Sequence, residues 1–302
     1  MNKPDTVIMY AKPIVDYIKQ ILKLDIEHKV NNVDFGCKYR PQLHIICNRD
    51  NDASLRYVKN KQSMAADIGI STSVTYIDNN TDYDKVIKTI KECNNAPYIH
   101  GIIVQLPLPE RIKHLTEVIL DTINPMKDVD GLTSVNKSKL GTGKYHYVPC
   151  TPKGILTLMK QYNIPTRDKS VVILGRSDLV GRPLARILSS PPYDAMVTLI
   201  HSKISDQLRY EALKNADIII SATGVRNTIN AGNNSIYSPT IIDVGINVDD
   251  NGKLCGDVAY NCVVQDCHAI TPVPGGVGPM TVISLMENVH KAWQTHETLH
   301  LQ

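Results

Sequence analysis

The sequence predicts an α/β protein made of two domains, the second a Rossmann-like domain with a doubly wound parallel sheet. Three observations predict this fold. The chain has 302 residues, which exceeds the length of a typical single domain. Short apolar runs alternate with segments of helical periodicity, as in parallel βαβ units. In the second half, a glycine-containing turn joins an apolar run to the start of a helix, which is typical of a phosphate-binding turn.

The composition limits the partners of the chain. Hydrophobic residues make up 42% of it and charged residues 21%, which is ordinary for a globular protein. The formal charge is +3, from 33 basic and 30 acidic residues that are dispersed along the chain. We therefore expect no nucleic-acid partner, and a small anionic ligand fits this balance better than a polyanion.

Cysteine usage and apolar runs bear on the cellular compartment. The seven cysteines are odd in number and contain no Cys-x-x-Cys pair, which indicates reduced thiols in a reducing compartment. Cys262, Cys267 and His268 lack the spacing of zinc ligands, so we expect no metal site. The first residues contain no Arg-rich amphipathic run and no stretch approaches about eighteen apolar residues, so we expect neither a targeting segment nor a membrane span.

The first half of the sequence predicts helices that separate short strands. Apolar residues recur at helical spacing from Ile14 to Leu22, so a helix is expected to begin near Pro13. A helix after Ser54 is expected to end at Gly69, because glycine favours the left-handed conformation of a helix C-terminus. The other predicted elements of this half are strands at Leu43–Cys47, Ile70–Ile77 and Ile99–Val104, and a helix at about Asp82–Cys93.

The second predicted helix carries a candidate site residue. One helical stripe holds a single lysine among apolar and aromatic residues: Tyr57, Lys61, Met64, Ala65 and Ile68. Lys61 therefore occupies a position where the pattern expects an apolar residue. Desolvation against apolar surface lowers the pKa of an amine and suits it to proton transfer. The alternative is a lysine whose stem covers the core edge while its amine reaches water.

Polar residues near strand ends supply further candidates. Gln105 ends the last predicted strand of this half, and ligands gather at the carboxyl ends of parallel strands. The alternative for Gln105 is a turn amide that bonds local backbone. Asp128 and Asp130 alternate, so in an extended segment they point to opposite sides and at most one faces a given site. Alternatively, the pair forms an Asx turn that ends at Gly131.

The second half contains the predicted phosphate-binding turn. Ser170–Leu174 is a near-continuous apolar strand, and the segment from Gly175 to Pro183 leads it into a helix. Free N–H groups and the helix dipole at such a turn favour an anion. The glycine spacing matches neither the Rossmann pattern nor a P-loop, so the turn alone leaves its ligand open.

The next strand bears on the choice of cofactor. A nucleotide without a 2′-phosphate is usually held by an acid at the end of this strand, yet Met196–Ile200 is followed by His201, Ser202 and Lys203. Arg176 and Ser202, with Lys203, suit a 2′-phosphate instead, which favours NADP over NAD. The remaining predicted elements are a helix from Cys150-Thr151-Pro152, and strands at Ala216–Ser221 and Thr240–Val244 that are followed by turns with Thr223 and Ile246.

A segment rich in proline and glycine, Ile270–Thr281, precedes the last predicted helix. It holds three glycines and three prolines in twelve residues. Proline fixes φ and glycine permits close approach of another group, so we expect a rigid loop. Thr281 is the expected helix start, because apolar residues from Val282 to Trp293 recur at helical spacing. Alone, the segment is most simply a rigid lead into that helix; beside Lys61 and Gln105 it is expected to wall a ligand site.

Six motifs in series carry a resemblance to a known family. In chain order they are Tyr57–Lys61, Val104–Pro109, Lys127–Gly131, Pro149–Pro152, Gly175–Pro183 and Pro272–Thr281. On these motifs the chain resembles the bifunctional methylenetetrahydrofolate dehydrogenase/methenyltetrahydrofolate cyclohydrolase family over nearly its whole length. The resemblance implies an enzyme that oxidises 5,10-methylenetetrahydrofolate with NADP and hydrolyses the methenyl product to 10-formyltetrahydrofolate. The alternatives, a monofunctional dehydrogenase and an inactive folate- or nucleotide-binding homologue, are disfavoured by the presence of Lys61, Gln105 and Asp130.

The resemblance also implies a role for individual residues. Lys61 would handle protons during hydrolysis, Gln105 would hold that lysine, and Asp128 would be structural. The implied catalytic set is Lys61, Gln105, Asp130 and Tyr57. The implied folate-binding residues are Tyr57, Leu106, Asp130, Pro274, Gly275 and Gly276. The implied cofactor-binding residues are Gly175, Arg176, Ser177, Gly181, Ser202, Thr223 and Ile246.

The same resemblance implies the domain organisation. Residues 1–150 with 282–302 would form a folate-binding catalytic domain, residues 151–281 an NADP-binding Rossmann-like domain, and the folate site would occupy the cleft between them. The relatives imply a homodimer in the cytoplasm. The chain departs from the family pattern at Cys47-Asn48, at Ser63, and in the polar segment from Arg226 to Pro239.

Overall fold

The structure is a computed structural model that describes residues 5–31, 39–230 and 238–300. Half of the polar segment from Arg226 to Pro239, residues 231–237, and one cysteine, Cys37, lie outside these ranges. The described chain divides into two compact units. The first, which we call the large-sheet unit, contains the described residues up to Val15, Leu140–Tyr145 and Thr151–Thr281; the remaining residues form the small-sheet unit.

Helices and strands alternate along most of the chain. The helices are α1 (Lys12–Asn31), α2 (Asp52–Ile68), α3 (Tyr83–Asn95), α4 (Glu110–Lys113), α5 (Thr116–Asp121), α6 (Ser134–Lys139), α7 (Cys150–Gln161), α8 (Gly181–Leu188), α9 (Asp206–Lys214), α10 (Tyr260–Val263) and α11 (Val277–His300). The strands are β1 (Val7–Ile8), β2 (Gln42–Asn48), β3 (Ser71–Ile77), β4 (Gly101–Gln105), β5 (Ser170–Leu174), β6 (Met196–Ile200), β7 (Ile218–Ser221), β8 (Thr240–Asp243), β9 (Asn247–Val248), β10 (Leu254–Cys255) and β11 (Ala269–Ile270). In the part of the chain that the structure describes, none of the helices combines the length and apolarity that a bilayer crossing requires.

The large-sheet unit is built on a parallel sheet with the strand order β1-β11-β8-β7-β5-β6. From β5 the chain passes to β6 on one side and then returns to β7 on the other. Strand order therefore reverses between β5 and β7, which is where open parallel sheets form a ligand crevice at their carboxyl ends. The predicted doubly wound sheet is confirmed, and with it the two-domain α/β fold.

The N-terminal strand belongs to a different unit from the one that the sequence analysis expects. Val7 pairs with Ala269 and Ile8 with Ile270, both in parallel. The described residues up to Val15 consequently belong to the large-sheet unit rather than to the unit that contains Lys61. A two-residue strand is too short to leave a period-2 pattern in the sequence. Its pairing partner also lies 262 residues further on, so nothing local indicates the strand.

The small-sheet unit has three parallel strands in the order β3-β2-β4. Its central strand is buried almost throughout, and the register places Cys47 opposite Gln105. The sole tryptophan, Trp293 on α11, is fully buried in this unit, where its indole N–H donates to the Tyr39 carbonyl at 2.7 Å. From Val282 onward helix α11 thus belongs to the core of this unit, although the helix begins at Val277 in the large-sheet unit.

Helix α11 begins earlier than the sequence predicts. It starts at Val277, so the expected start at Thr281 is wrong by four residues. Pro279 stands third in this helix, as Pro152 does in α7 and Pro183 in α8. A proline is tolerated there because the N–H groups of the first turn have no intrahelical acceptor.

Candidate functional site

A buried lysine and a strand-end amide meet in the small-sheet unit. Lys61 is 8% exposed, and its Nζ donates to Gln105 Oε1 at 2.8 Å. Gln105 Nε2 in turn donates to the Leu106 carbonyl at 3.0 Å. The amine therefore points inward to a fixed acceptor, which excludes the alternative of a lysine that reaches out to water. Gln105 therefore bonds local backbone, as the turn-amide alternative expects, and its role at a ligand site stays a prediction.

Helix α2 sets the direction of that lysine. The Asn51 side chain accepts the Ser54 N–H at 2.8 Å at the start of the helix, and Gly69 ends it with φ +85°. Val58 and Ala65 flank Lys61 on the buried face. The caps fix where the helix begins and ends, and burial of this face fixes its rotation, so Lys61 is held on the buried side.

Tyr57 lies one turn before Lys61 on the same helix and is half-buried. Burial raises the pKa of the Tyr57 phenol. The ring is thus a neutral, partly covered aromatic surface next to the buried amine, and its position matches the i, i+4 spacing that the sequence predicts.

The two alternating carboxylates differ as the sequence predicts. Asp128 is 1% exposed, whereas Asp130 is partly exposed. Asp128 accepts hydrogen bonds from the Leu132 N–H at 3.0 Å, the Thr133 N–H at 2.8 Å, the Thr133 hydroxyl at 2.7 Å and the Asn136 amide at 2.8 Å. Burial raises the pKa of Asp128, and these donors offset part of that rise. Asp128 closes the turn, which leaves Asp130 as the carboxylate that can meet a ligand.

The phosphate-binding turn of the large-sheet unit is shaped by close backbone contacts. A Cβ on Gly175 would lie 2.3 Å from the Ala222 carbonyl oxygen, and a Cβ on Gly181 would lie 1.9 Å from the Gly175 carbonyl oxygen. Gly175 also has φ +109°. Both positions therefore require glycine for internal reasons. Ser177 holds the turn before the helix, since its hydroxyl accepts the Val180 N–H at 3.2 Å.

Exposed groups surround this turn at the carboxyl ends of neighbouring strands. Arg176 follows β5 and Ser202 follows β6, and both are exposed. The two strands are adjacent, with Leu174 paired to Ile200, so their end loops are neighbours. A cation and a hydroxyl at adjacent strand ends can bind a phosphate together.

Thr223 and Ile246 lie in the turns after β7 and β8. Thr223 donates its N–H to Asp257 at 2.7 Å, and Ile246 is 47% exposed. Two further apolar side chains that the sequence analysis missed, Leu179 and Val225, are 42% and 60% exposed in the same set of loops. Val225 follows Gly224 as Ile246 follows Gly245, so the position after a glycine in a strand-end turn is the signal that could have identified Val225. Exposed apolar side chains at strand ends suit the flat faces of a nucleotide.

The proline- and glycine-rich segment is held by its own unit. Gly275 has φ +107°, and its carbonyl accepts the Ala11 N–H at 2.8 Å. A Cβ on Gly276 would lie 2.6 Å from the Pro272 carbonyl oxygen. These contacts explain both glycines without a ligand, so their role beside folate, and that of Pro274, remains a prediction.

The chain is similar to known proteins over most of its length. Two family models match the chain: tetrahydrofolate dehydrogenase/cyclohydrolase, catalytic domain, over residues 9–130, and tetrahydrofolate dehydrogenase/cyclohydrolase, NAD(P)-binding domain, over residues 149–297. A relative from Oceanobacillus iheyensis, Bifunctional protein FolD, is 39% identical over 285 residues, which cover 94% of this chain and 96% of the relative.

Solved structures agree with these matches. The bifunctional FolD methylenetetrahydrofolate dehydrogenase/cyclohydrolase of Campylobacter jejuni is 34% identical, with a TM-score of 0.87 over 96% of this chain and 99% of that one. The Trypanosoma brucei enzyme, solved with NADP cofactor and an inhibitor, is 30% identical, with a TM-score of 0.88 over 97% and 99%. These findings confirm the resemblance that the six motifs indicate.

The unequal burial of the two carboxylates yields a stability prediction. Asp128→Ala should lower the free energy of unfolding by about 2–4 kcal/mol, because it removes the acceptor of several buried donors. Asp130→Ala is the matched control and should change it by less than about 1 kcal/mol. Urea unfolding followed by circular dichroism measures both. Equal effects of the two substitutions would contradict the structural assignment of Asp128.

Proposed function

The chain belongs to the tetrahydrofolate dehydrogenase/cyclohydrolase family, and from this premise we propose how its residues divide the work of the two reactions. The protein is a bifunctional enzyme that oxidises 5,10-methylenetetrahydrofolate with NADP and hydrolyses the 5,10-methenyl product to 10-formyltetrahydrofolate. The observation that carries the assignment of roles is the buried hydrogen bond from Lys61 to Gln105.

The oxidation step depends on positioning more than on acid or base. NADP, when bound, accepts the hydride that leaves the methylene carbon. The strand-end loops of the large-sheet unit fit such a dinucleotide, because Gly175 and Gly181 allow backbone to approach closely and Arg176 is exposed beside them. We assign the 2′-phosphate to Arg176 and Ser202, and the rest of the nucleotide to the turns that hold Ser177, Thr223 and Ile246.

The hydrolysis step needs a group that moves protons. Water adds to the methenyl carbon and loses one proton. The bond from that carbon to N5 then breaks as N5 is protonated and the hydroxyl loses its remaining proton, which leaves the formyl group on N10 and releases one proton overall. Lys61 is the group we assign to these proton transfers, because its amine is buried and has one fixed acceptor. Gln105 positions the amine for this purpose.

The remaining small-sheet residues bind the folate in this proposal. Tyr57 offers a half-buried ring on which the aminobenzoyl group stacks, and the partly exposed carboxylate of Asp130 accepts hydrogen bonds from the pterin. Leu106 contributes backbone contact. For Pro274, Gly275 and Gly276 of the large-sheet unit, a contact with folate stays the prediction of the family resemblance.

Assembly and location are part of the proposal as well. We place the enzyme in the cytoplasm as a homodimer, as the resemblance implies. The reducing compartment that the cysteine usage of the sequence indicates agrees with this placement.

The role of Lys61 is tested by Lys61→Met. Loss of the amine should lower kcat for methenyltetrahydrofolate hydrolysis about 100-fold or more, while NADP affinity stays within about twofold. Absorbance of the methenyl group follows the reaction. Lys59→Met is the matched control, because Lys59 is exposed on the same helix, and its hydrolysis rate should match that of the parent. An unchanged hydrolysis rate in Lys61→Met would exclude the proposed role.

The 2′-phosphate assignment is tested by Arg176→Ala. Removal of one charge-assisted contact should raise the Kd for NADP about tenfold or more and leave the Kd for NAD within about twofold. Calorimetric titration with each nucleotide gives both constants. The control is Arg182→Ala, since Arg182 is paired with Asp178 at 3.0 Å. Equal weakening toward NADP and NAD in Arg176→Ala would refute the assignment.

A further inference from the structure

Two buried carboxylates of the large-sheet unit take no part in the roles assigned above. Asp243 ends β8 and is 3% exposed, and Asp257 lies shortly after β10 and is fully buried. The Asp257 N–H donates to Asp243 Oδ1 at 2.9 Å. Burial raises the pKa of Asp243 to about 6, and the neighbouring Asp257 charge adds to that rise. Two carboxylates in this position are costly unless their hydrogen bonds serve a purpose.

The hydrogen bonds of Asp257 converge on the turn after β7. Its Oδ2 accepts the Thr223 N–H at 2.7 Å, the Thr223 hydroxyl at 2.9 Å, the Gly224 N–H at 3.2 Å and the Ser221 hydroxyl at 3.2 Å. Its Oδ1 accepts the Asn247 amide at 3.0 Å. One side chain therefore fixes the turns that follow both β7 and β8, and these are the turns assigned to the cofactor.

The backbone approaches both carboxylates so closely that two neighbouring positions have no room for a side chain. A Cβ on Gly245 would lie 2.0 Å from Asp257 Oδ1, and a Cβ on Gly256 would lie 1.9 Å from Asp243 Oδ2. The Asp243 N–H donates to the Thr271 hydroxyl oxygen at 2.8 Å. Thr271 is fully buried and stands at the start of the proline- and glycine-rich segment. The chain of contacts thus runs from that segment through Asp243 and Asp257 to the cofactor turn.

We propose that Asp257 is a positioning residue for the dinucleotide. Asp257 holds the turn at Thr223 and Gly224 in its cofactor-binding form, and through Asp243 it connects that turn to Thr271 in the proline- and glycine-rich segment. The inference rests on the assignment of Thr223 and Ile246 to the cofactor. The N–H and hydroxyl groups that donate to Asp257 are not available for other hydrogen bonds within the turn. The turn therefore keeps one conformation before the nucleotide binds. The hydrolytic step uses Lys61 and Gln105 and does not depend on Asp257.

The test uses Asp257→Asn, which places an amide donor against the donors that the carboxylate accepts. The Kd for NADP, measured by calorimetry, should rise about tenfold or more, and the KM for NADP should rise with it. Hydrolysis of methenyltetrahydrofolate, measured without nucleotide, should keep its kcat and KM within about twofold. This split between the two activities separates a positioning role from general destabilisation, which would lower both.

Asp217→Asn is the matched control. Asp217 also accepts a backbone N–H, from Ser170 at 2.9 Å, but it lies just before β7, at the amino end of the strand. Its substitution should leave the NADP Kd within about twofold. Unchanged NADP affinity in Asp257→Asn, or equal loss of both activities, would overturn the inference. Failure of the parent enzyme to bind NADP would instead refute the cofactor assignment itself.

Ser221→Ala provides a second variant if Asp257→Asn does not fold. It removes one of the donors to Asp257 and leaves the carboxylate with its other partners. The Kd for NADP should rise about threefold or more, with hydrolysis unchanged. A Kd equal to that of the parent would count against the positioning role as directly as the first variant does.

Discussion

The hydrogen bond between Lys61 and Gln105 is the interaction on which the proposed chemistry of the small-sheet unit depends. A buried amine is costly without an acceptor, and an acceptor that can rotate away would not hold it. Gln105 solves both problems, because its other end is fixed to the Leu106 carbonyl. The strand register fixes Gln105, and the buried face of α2 fixes Lys61. Local structure on two separate elements therefore determines one reactive geometry.

The large-sheet unit follows a different constraint, because its strand-end turns must expose backbone groups to the cofactor. Glycines at positions 175 and 181 let three chain segments come within contact of one another, and a side chain at either position would displace its neighbour. The sheet places these turns at a point where strand order reverses. Buried contacts fix the backbone of these turns. The side chains of Arg176 and Ser202 and the exposed apolar side chains project from that backbone.

Much of this could be predicted from the sequence, and the parts that failed have physical reasons. The strands Ser170–Leu174 and Met196–Ile200 were located to the residue, because their apolar runs are bounded by polar and glycine-containing turns. The stripe on α2 identified Lys61, since a buried lysine breaks helical periodicity visibly. The start of α11 was misplaced because a proline in the first turn of a helix looks the same in sequence as a proline in the loop before it.

The carboxylate pair escaped the sequence analysis for a further reason. An aspartate before or after a glycine is most often a turn residue, and nothing local distinguishes the fully buried Asp257 from an exposed one. Most of its donors lie between Ser221 and Gly224, more than thirty residues earlier in the chain. The parallel pairing of β7 and β8 places Ser221 beside Asp243, and Asp243 accepts the Asp257 N–H, which brings those donors to Asp257.

The position of Trp293 has a consequence for spectroscopy. The chain has one tryptophan, and it is buried in the small-sheet unit with its indole bonded to Tyr39. Intrinsic tryptophan emission therefore reports on the unit that holds Lys61, while the nucleotide-binding unit has no indole of its own. Loss of structure confined to the large sheet would be silent in that signal and visible in far-ultraviolet circular dichroism. Two probes that diverge during unfolding would thus separate the two units without any labelling.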